Sequence, residues 1–139
     1  MTTATLAGSR SDHLRLLHAV TSWLFATAIL VQAFLAGAAI AGPGGTGDFS
    51  PHVEFGYNIV GLAALAVVIT AVLAGGARDA ARAFGLLVLY IVQISLPVFR
   101  SGAPWVAALH PANALLLFGA AVWYATRSTR QWRASRASR

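Results

Sequence analysis

Four stretches of about 20 apolar residues, none with a charge near its centre, set the limits on what this chain can fold into. They run from about Leu16 to Ala41, from about His52 to Ala74, from about Ala80 to Phe99 and from about Trp105 to Thr126. Each is long enough to cross a bilayer core as a helix. Each is apolar around its whole circumference, as expected of helices that face lipid or one another. A soluble four-helix bundle needs a polar outer face, and these segments supply none. Composition agrees, with 58% apolar and 10% charged residues, where a soluble domain carries roughly 25% charged. Disorder is excluded on the same ground. With no cysteine, disulfide scaffolds and thiolate metal sites are excluded as well.

The connectors are short and rich in breakers. Gly42 to Ser50 ends the first helix, Gly75-Gly76 closes the second, and Arg100 to Ala103 makes a tight turn. Ser50 is placed to N-cap the second helix, with Pro51 in its first turn, and Pro104 starts the fourth. Pro97 marks a kink or unwinding near the end of the third. The expected fold is therefore all-α: an up-down-up-down four-helix transmembrane bundle over residues 15–127. A segment 1–14 precedes it and an arginine-rich tail 128–139 follows.

All ten basic residues are arginines. Arg10 and Arg15 precede the first helix, Arg78 and Arg82 lie between the second and third, and Arg127, Arg130, Arg133, Arg136 and Arg139 follow the fourth. Arg100 is alone in the other loops. Nine of ten thus fall on one side, which the positive-inside rule makes cytoplasmic, with both termini inside. The net charge of +6 is mostly topological. The tail also suits anionic headgroups, and no nucleic-acid motif accompanies it. The first apolar run, about 26 residues, exceeds a signal-peptide core and reads as a retained helix. Arginine without lysine, with abundant alanine and glycine, points to a GC-rich bacterial genome. The expected location is the bacterial cytoplasmic membrane.

Polar residues at membrane depth are the functional candidates. Neither a Ser-His-acid set, nor H-E-x-x-H spacing, nor a phosphate-binding loop occurs, so an enzyme is not the favoured reading. His52 opens the second helix and His110 lies about two turns into the fourth. Neutral imidazole ligates haem iron, and facing helices of a bundle can clamp a haem. On this reading His52 and His110 are iron ligands of a b-type haem. Asn113 lies beside His110, and Gly56 near His52 permits close approach of the macrocycle. Counted from the two prolines, the histidines differ in depth by roughly 7–8 Å, whereas axial ligands of one iron sit about 4 Å apart. The competing reading is that both imidazoles make interhelical hydrogen bonds. Gln32 and Gln93 are expected to bond across helices, with a quinone carbonyl as another partner, and His18 to lie at the interface near Arg15. Asp48, His52 and Glu54 form a candidate cluster for copper or zinc. Small residues such as Gly37, Gly119 and Ala120 favour close packing, within a homo-oligomer or a larger membrane complex. A transporter is disfavoured because the chain has neither an internal repeat nor a membrane-centre carboxylate.

Two resemblances follow from these residues. Val31-Gln32-Ala33-Phe34-Leu35-Ala36-Gly37, His52 with Gly56, and Leu109-His110-Pro111-Ala112-Asn113-Ala114-Leu115 together resemble a family of small uncharacterised four-helix bacterial membrane proteins. That likeness implies a fold, and covers most of residues 14–127. One histidine on the second helix and one on the fourth resembles one half of the haem A synthase fold. This implies haem ligation by His52 and His110. In that family a glutamate stands three residues before the second-helix histidine; here Phe49 occupies the position and Glu54 follows His52.

Overall fold

The computed structural model describes residues 3–40, 44–74 and 76–137, with side chains from residue 11 onward. Helices α1 (Thr3–Ala39), α2 (Ser50–Ala74), α3 (Ala77–Arg100) and α4 (Pro104–Ala137) make up almost all of it. All four are long and apolar enough to span a membrane, and no strand occurs among the described residues. Each helix packs on the next, and α4 closes the ring against α1.

The interior is built from small and aromatic side chains. Phe25, Val67, Leu117 and Tyr124 are fully buried, separated by Ala26, Ala64, Ala71, Ala83, Ala121 and Ala125. Alanines at the crossings let helix backbones approach closely, which is the main source of association energy between helices in lipid. The larger aliphatic side chains point outward instead: Leu24, Leu30, Phe34, Leu62, Leu115 and Leu116 are all exposed. A water-soluble protein would bury these residues; against acyl chains they need no cover.

The helix ends depart from the hydropathy boundaries. α1 already begins at Thr3, and α4 runs through most of what hydropathy sets apart as a tail. Main-chain hydrogen bonding does not stop where apolar residues do, and side chains tie the extensions together. Ser135 Oγ donates to Asp12 Oδ1 at 3.0 Å. Asp79 accepts from Arg82 at 2.8 Å, Arg127 at 3.3 Å and Gln131 at 2.8 Å. Ser50 does not cap α2 with its side chain; it is the first helical residue, and Asp48 Oδ1 accepts its N–H at 2.9 Å. That bond holds the exposed Asp48 carboxyl below its ordinary value. Its small support for the α2 start is complete above the unfolded carboxyl pKa and is lost as pH falls through the lowered folded one.

Proline shapes the other ends. Leu96–Arg100, which contains Pro97, finishes α3 as a tight 3₁₀ turn. Pro111 has no N–H to offer Ala107, so α4 breaks at Ala108 between Pro104–Ala107 and Leu109–Ala137. Ala41, Gly42, Pro43, Gly75 and Arg139, which entered the boundary and charge arguments, lie outside the described residues.

Candidate functional site

The two candidate histidines come together near the starts of α2 and α4. His52 is the third residue of α2, and His110 is the second residue of the regular helix Leu109–Ala137. Their ring centres are 6.3 Å apart, with the ring planes inclined at 72°.

Each imidazole is held by a glutamine from the helix before it. His52 Nδ1–H donates to the main-chain carbonyl of Gln32 at 3.1 Å, and His110 Nδ1–H to that of Gln93 at 2.9 Å. A carbonyl can only accept, so both rings carry their proton on Nδ1 and keep a lone pair on Nε2. That lone pair accepts from the side-chain amide of the same glutamine: Gln32 Nε2 to His52 Nε2 at 3.3 Å, and Gln93 Nε2 to His110 Nε2 at 3.1 Å. The cross-helix bonds expected of the glutamines therefore go to the histidines.

The two clamps differ in one respect. Asn113 Nδ2 donates to Gln93 Oε1 at 2.8 Å and to the Leu89 carbonyl at 3.1 Å, so the α3–α4 clamp is fully partnered. In the α1–α2 clamp, Gln32 Nε2 donates to the His52 carbonyl at 2.8 Å, while Gln32 Oε1 is buried without a partner. Rotating this amide would set its oxygen against the His52 carbonyl, so the orientation is fixed. Gly56 makes room for Gln32: a Cβ there would lie 2.6 Å from Gln32 Nε2. The space over Gly56, where close approach of a macrocycle is expected, is taken by this amide. Phe49 packs edge-on against the His52 ring, with centres 6.2 Å apart.

Beneath His52, α2 widens into a π-helical turn, Gly56–Val60. Such turns often accompany functional sites. Tyr90 OH donates to the Gly56 carbonyl at 3.1 Å and lies over Gly61, where a Cβ would meet it at 2.6 Å. Gly61→Ala is expected to cost about 1–3 kcal/mol by overpacking. Tyr90→Phe alone loses one hydrogen bond, about 1 kcal/mol. In the double variant the clashing oxygen is gone, so the two costs should sum to less than additivity demands. Unfolding midpoints of the four proteins in detergent give this coupling, and strict additivity would show that the contact does not exist.

A second polar centre lies at the other end of the bundle. His18, expected at the interface, is 4% exposed. Its Nδ1 meets Thr70 Oγ1 at 2.9 Å, and its Nε2 lies between Tyr124 OH at 3.1 Å and Ser128 Oγ at 3.2 Å. Tyr124 OH also donates to the Asp79 carbonyl at 2.9 Å. Beside this network is a cavity of about 260 Å³, lined by Arg15, His18, Asp79, Ser128 and Gln131.

Composition and motif spacing miss these partnerships, but a repeat carries a signal for them. Val31-Gln32-x-x-Leu35 recurs as Val92-Gln93-x-x-Leu96, and each histidine is followed nine residues later by glycine, at Gly61 and Gly119. Each is followed eighteen residues later by a hydroxyl residue, Thr70 or Ser128, and both of these meet His18. The α1–α2 and α3–α4 pairs thus share one glutamine–histidine clamp. The repeat escapes notice because most of the intervening apolar residues are interchangeable in lipid. The Asp48–His52–Glu54 cluster is not assembled, and no group of three or more metal-ligating side chains gathers among the described residues. Comparison with protein-family models, curated proteins and solved structures finds no match to this chain.

Proposed function

We propose that this protein is a four-helix integral protein of a bacterial cytoplasmic membrane that binds b-type haem between α2 and α4, for electron transfer or haem handling. The observation that carries the reading is the 6.3 Å between the His52 and His110 ring centres. Two imidazoles bound end-on to one iron through bonds of about 2 Å hold their ring centres about 6 Å apart. Anchoring of both Nδ1–H groups to main-chain carbonyls supports it further. That second-shell bond orients a ligating histidine and leaves Nε2 as the donor atom. Iron ligation would replace the hydrogen bonds that the Gln32 and Gln93 amides now give to those lone pairs.

An up-down-up-down course with both termini cytoplasmic belongs to the same proposal. Consecutive helices pair start with end: His18 with Thr70, Gln32 with His52, Gln93 with His110, and Asp79 with Arg127. Arg15, Arg82, Arg127, Arg130, Arg133 and Arg136 then share the His18 end, and Arg100 lies at the other.

The test is an absorption spectrum of the protein purified in mild detergent from a haem-replete host, before and after dithionite. A Soret band that shifts on reduction is expected. A flat visible spectrum after reconstitution with excess haem b would leave the histidines as hydrogen-bonded pins between helices. A second reading, an accessory subunit of a larger membrane complex, is favoured by Gly119, which is exposed with open space where a Cβ would lie. It predicts that Gly119→Leu leaves the monomer folded and abolishes co-purification of a defined partner; purification of the wild-type protein alone would remove that reading.

A further inference from the structure

We infer that the outer seam between α1 and α4 is a binding site for one anionic phospholipid, with an acyl chain in the seam and the headgroup on Arg133 and Arg136. The seam is an apolar groove of about 310 Å³ between Leu16, Val20, Leu24 and Thr27 on α1 and Thr129 and Trp132 on α4. Two of its polar groups are satisfied internally, since Trp23 Nε1–H donates to Thr129 Oγ1 at 3.0 Å and Thr129 Oγ1 donates to the Ala125 carbonyl at 2.9 Å. Apart from the Thr27 hydroxyl, what remains exposed along it is aliphatic and aromatic. From Leu16 to Thr27 the helix rises about 16 Å, close to one leaflet of a roughly 30 Å hydrocarbon core. The groove therefore matches an acyl chain in length.

Its mouth is cationic. The Arg136 guanidinium stands 5.7 Å over the Trp132 ring, one turn beyond the groove. Arg133 is four residues after Thr129 and shares its face of α4. Both arginines are exposed. One carboxylate, Asp12, faces this end of α4 and accepts from Ser135, and His13 on α1 is exposed. Two guanidiniums against one carboxylate leave a positive rim around an apolar slot, which is the pattern an anionic headgroup with its chain complements. A second copy seated here would bring two such arginine pairs together and be repelled.

The test uses tryptophan quenching by brominated lipid. In a Trp105→Phe/Trp123→Phe protein the remaining reporters are Trp23 and Trp132, both at the seam. The protein is placed in zwitterionic vesicles doped with equal mole fractions of dibrominated phosphatidylglycerol or dibrominated phosphatidylcholine. Quenching should favour the anionic lipid by about fivefold or more in relative association constant, the contribution of one arginine near a membrane surface. The preference should vanish in Arg133→Gln/Arg136→Gln. It should be absent in the converse protein, Trp23→Phe/Trp132→Phe, whose reporters lie elsewhere. Added inorganic phosphate at millimolar concentration should not remove it. Equal quenching by the two lipids at Trp23 and Trp132 overturns the proposal. So does quenching by neither, which would mean that protein, as a second copy or a partner helix, covers the seam. Loss of the preference in free phosphate would reassign the arginines to a soluble anion.

Discussion

His110→Ala is expected to abolish the six-coordinate haem spectrum of the reconstituted protein, and added imidazole to restore it. The α3–α4 clamp is the fully partnered one: Asn113 holds Gln93, and Gln93 holds both nitrogens of His110. Removing this ring leaves a hole that free imidazole can fill, with its N–H again on the Gln93 carbonyl and its other nitrogen available as the ligand. His52→Ala should lose the same spectrum and also respond to imidazole. A purely structural role for the two rings predicts something different: loss of stability in both variants, with no imidazole-dependent band at any concentration. Haem titration with optical and electron paramagnetic readouts separates the two outcomes. Retention of the low-spin spectrum in both alanine variants would sink the assignment of ligands outright.

The second large effect concerns stability. His18→Leu is expected to destabilise the bundle by about 2–3 kcal/mol, the sum of three interhelical bonds at roughly 0.6–1 kcal/mol each. The ring ties α1 to α2 through Thr70 and to α4 through Tyr124 and Ser128. The cost stays this modest because each hydroxyl keeps a main-chain acceptor: Thr70 has the Ala66 carbonyl, Tyr124 that of Asp79, and Ser128 that of Tyr124. None is stranded in hydrocarbon. Thermal unfolding in detergent, followed by near-ultraviolet dichroism, measures the loss. Spectra of haem-loaded protein should be unaltered at temperatures where the variant is folded, because His52 and His110 lie at the opposite end. An unchanged midpoint would mean that these three bonds contribute nothing measurable to holding the helices together.

The local features of the chain were readable before any fold was known. Apolar runs, breaker residues and the arginine bias are properties of a segment taken alone. They define four long helices and single out His18, Gln32, His52, Glu54, Asn58, Gln93, His110 and Asn113 as polar residues within the apolar segments. Hydropathy does not say which way a helical side chain turns, because each residue advances about 100° around the axis and lipid accepts nearly any apolar face. His18 is therefore expected at the interface, whereas its bonds to Thr70, Tyr124 and Ser128 place it in the interior. The approach of His52 to His110 is a contact between α2 and α4 that neither segment contains. The pairing of each histidine with a glutamine was decided only when the helices met, since register and rotation are set by contacts between segments.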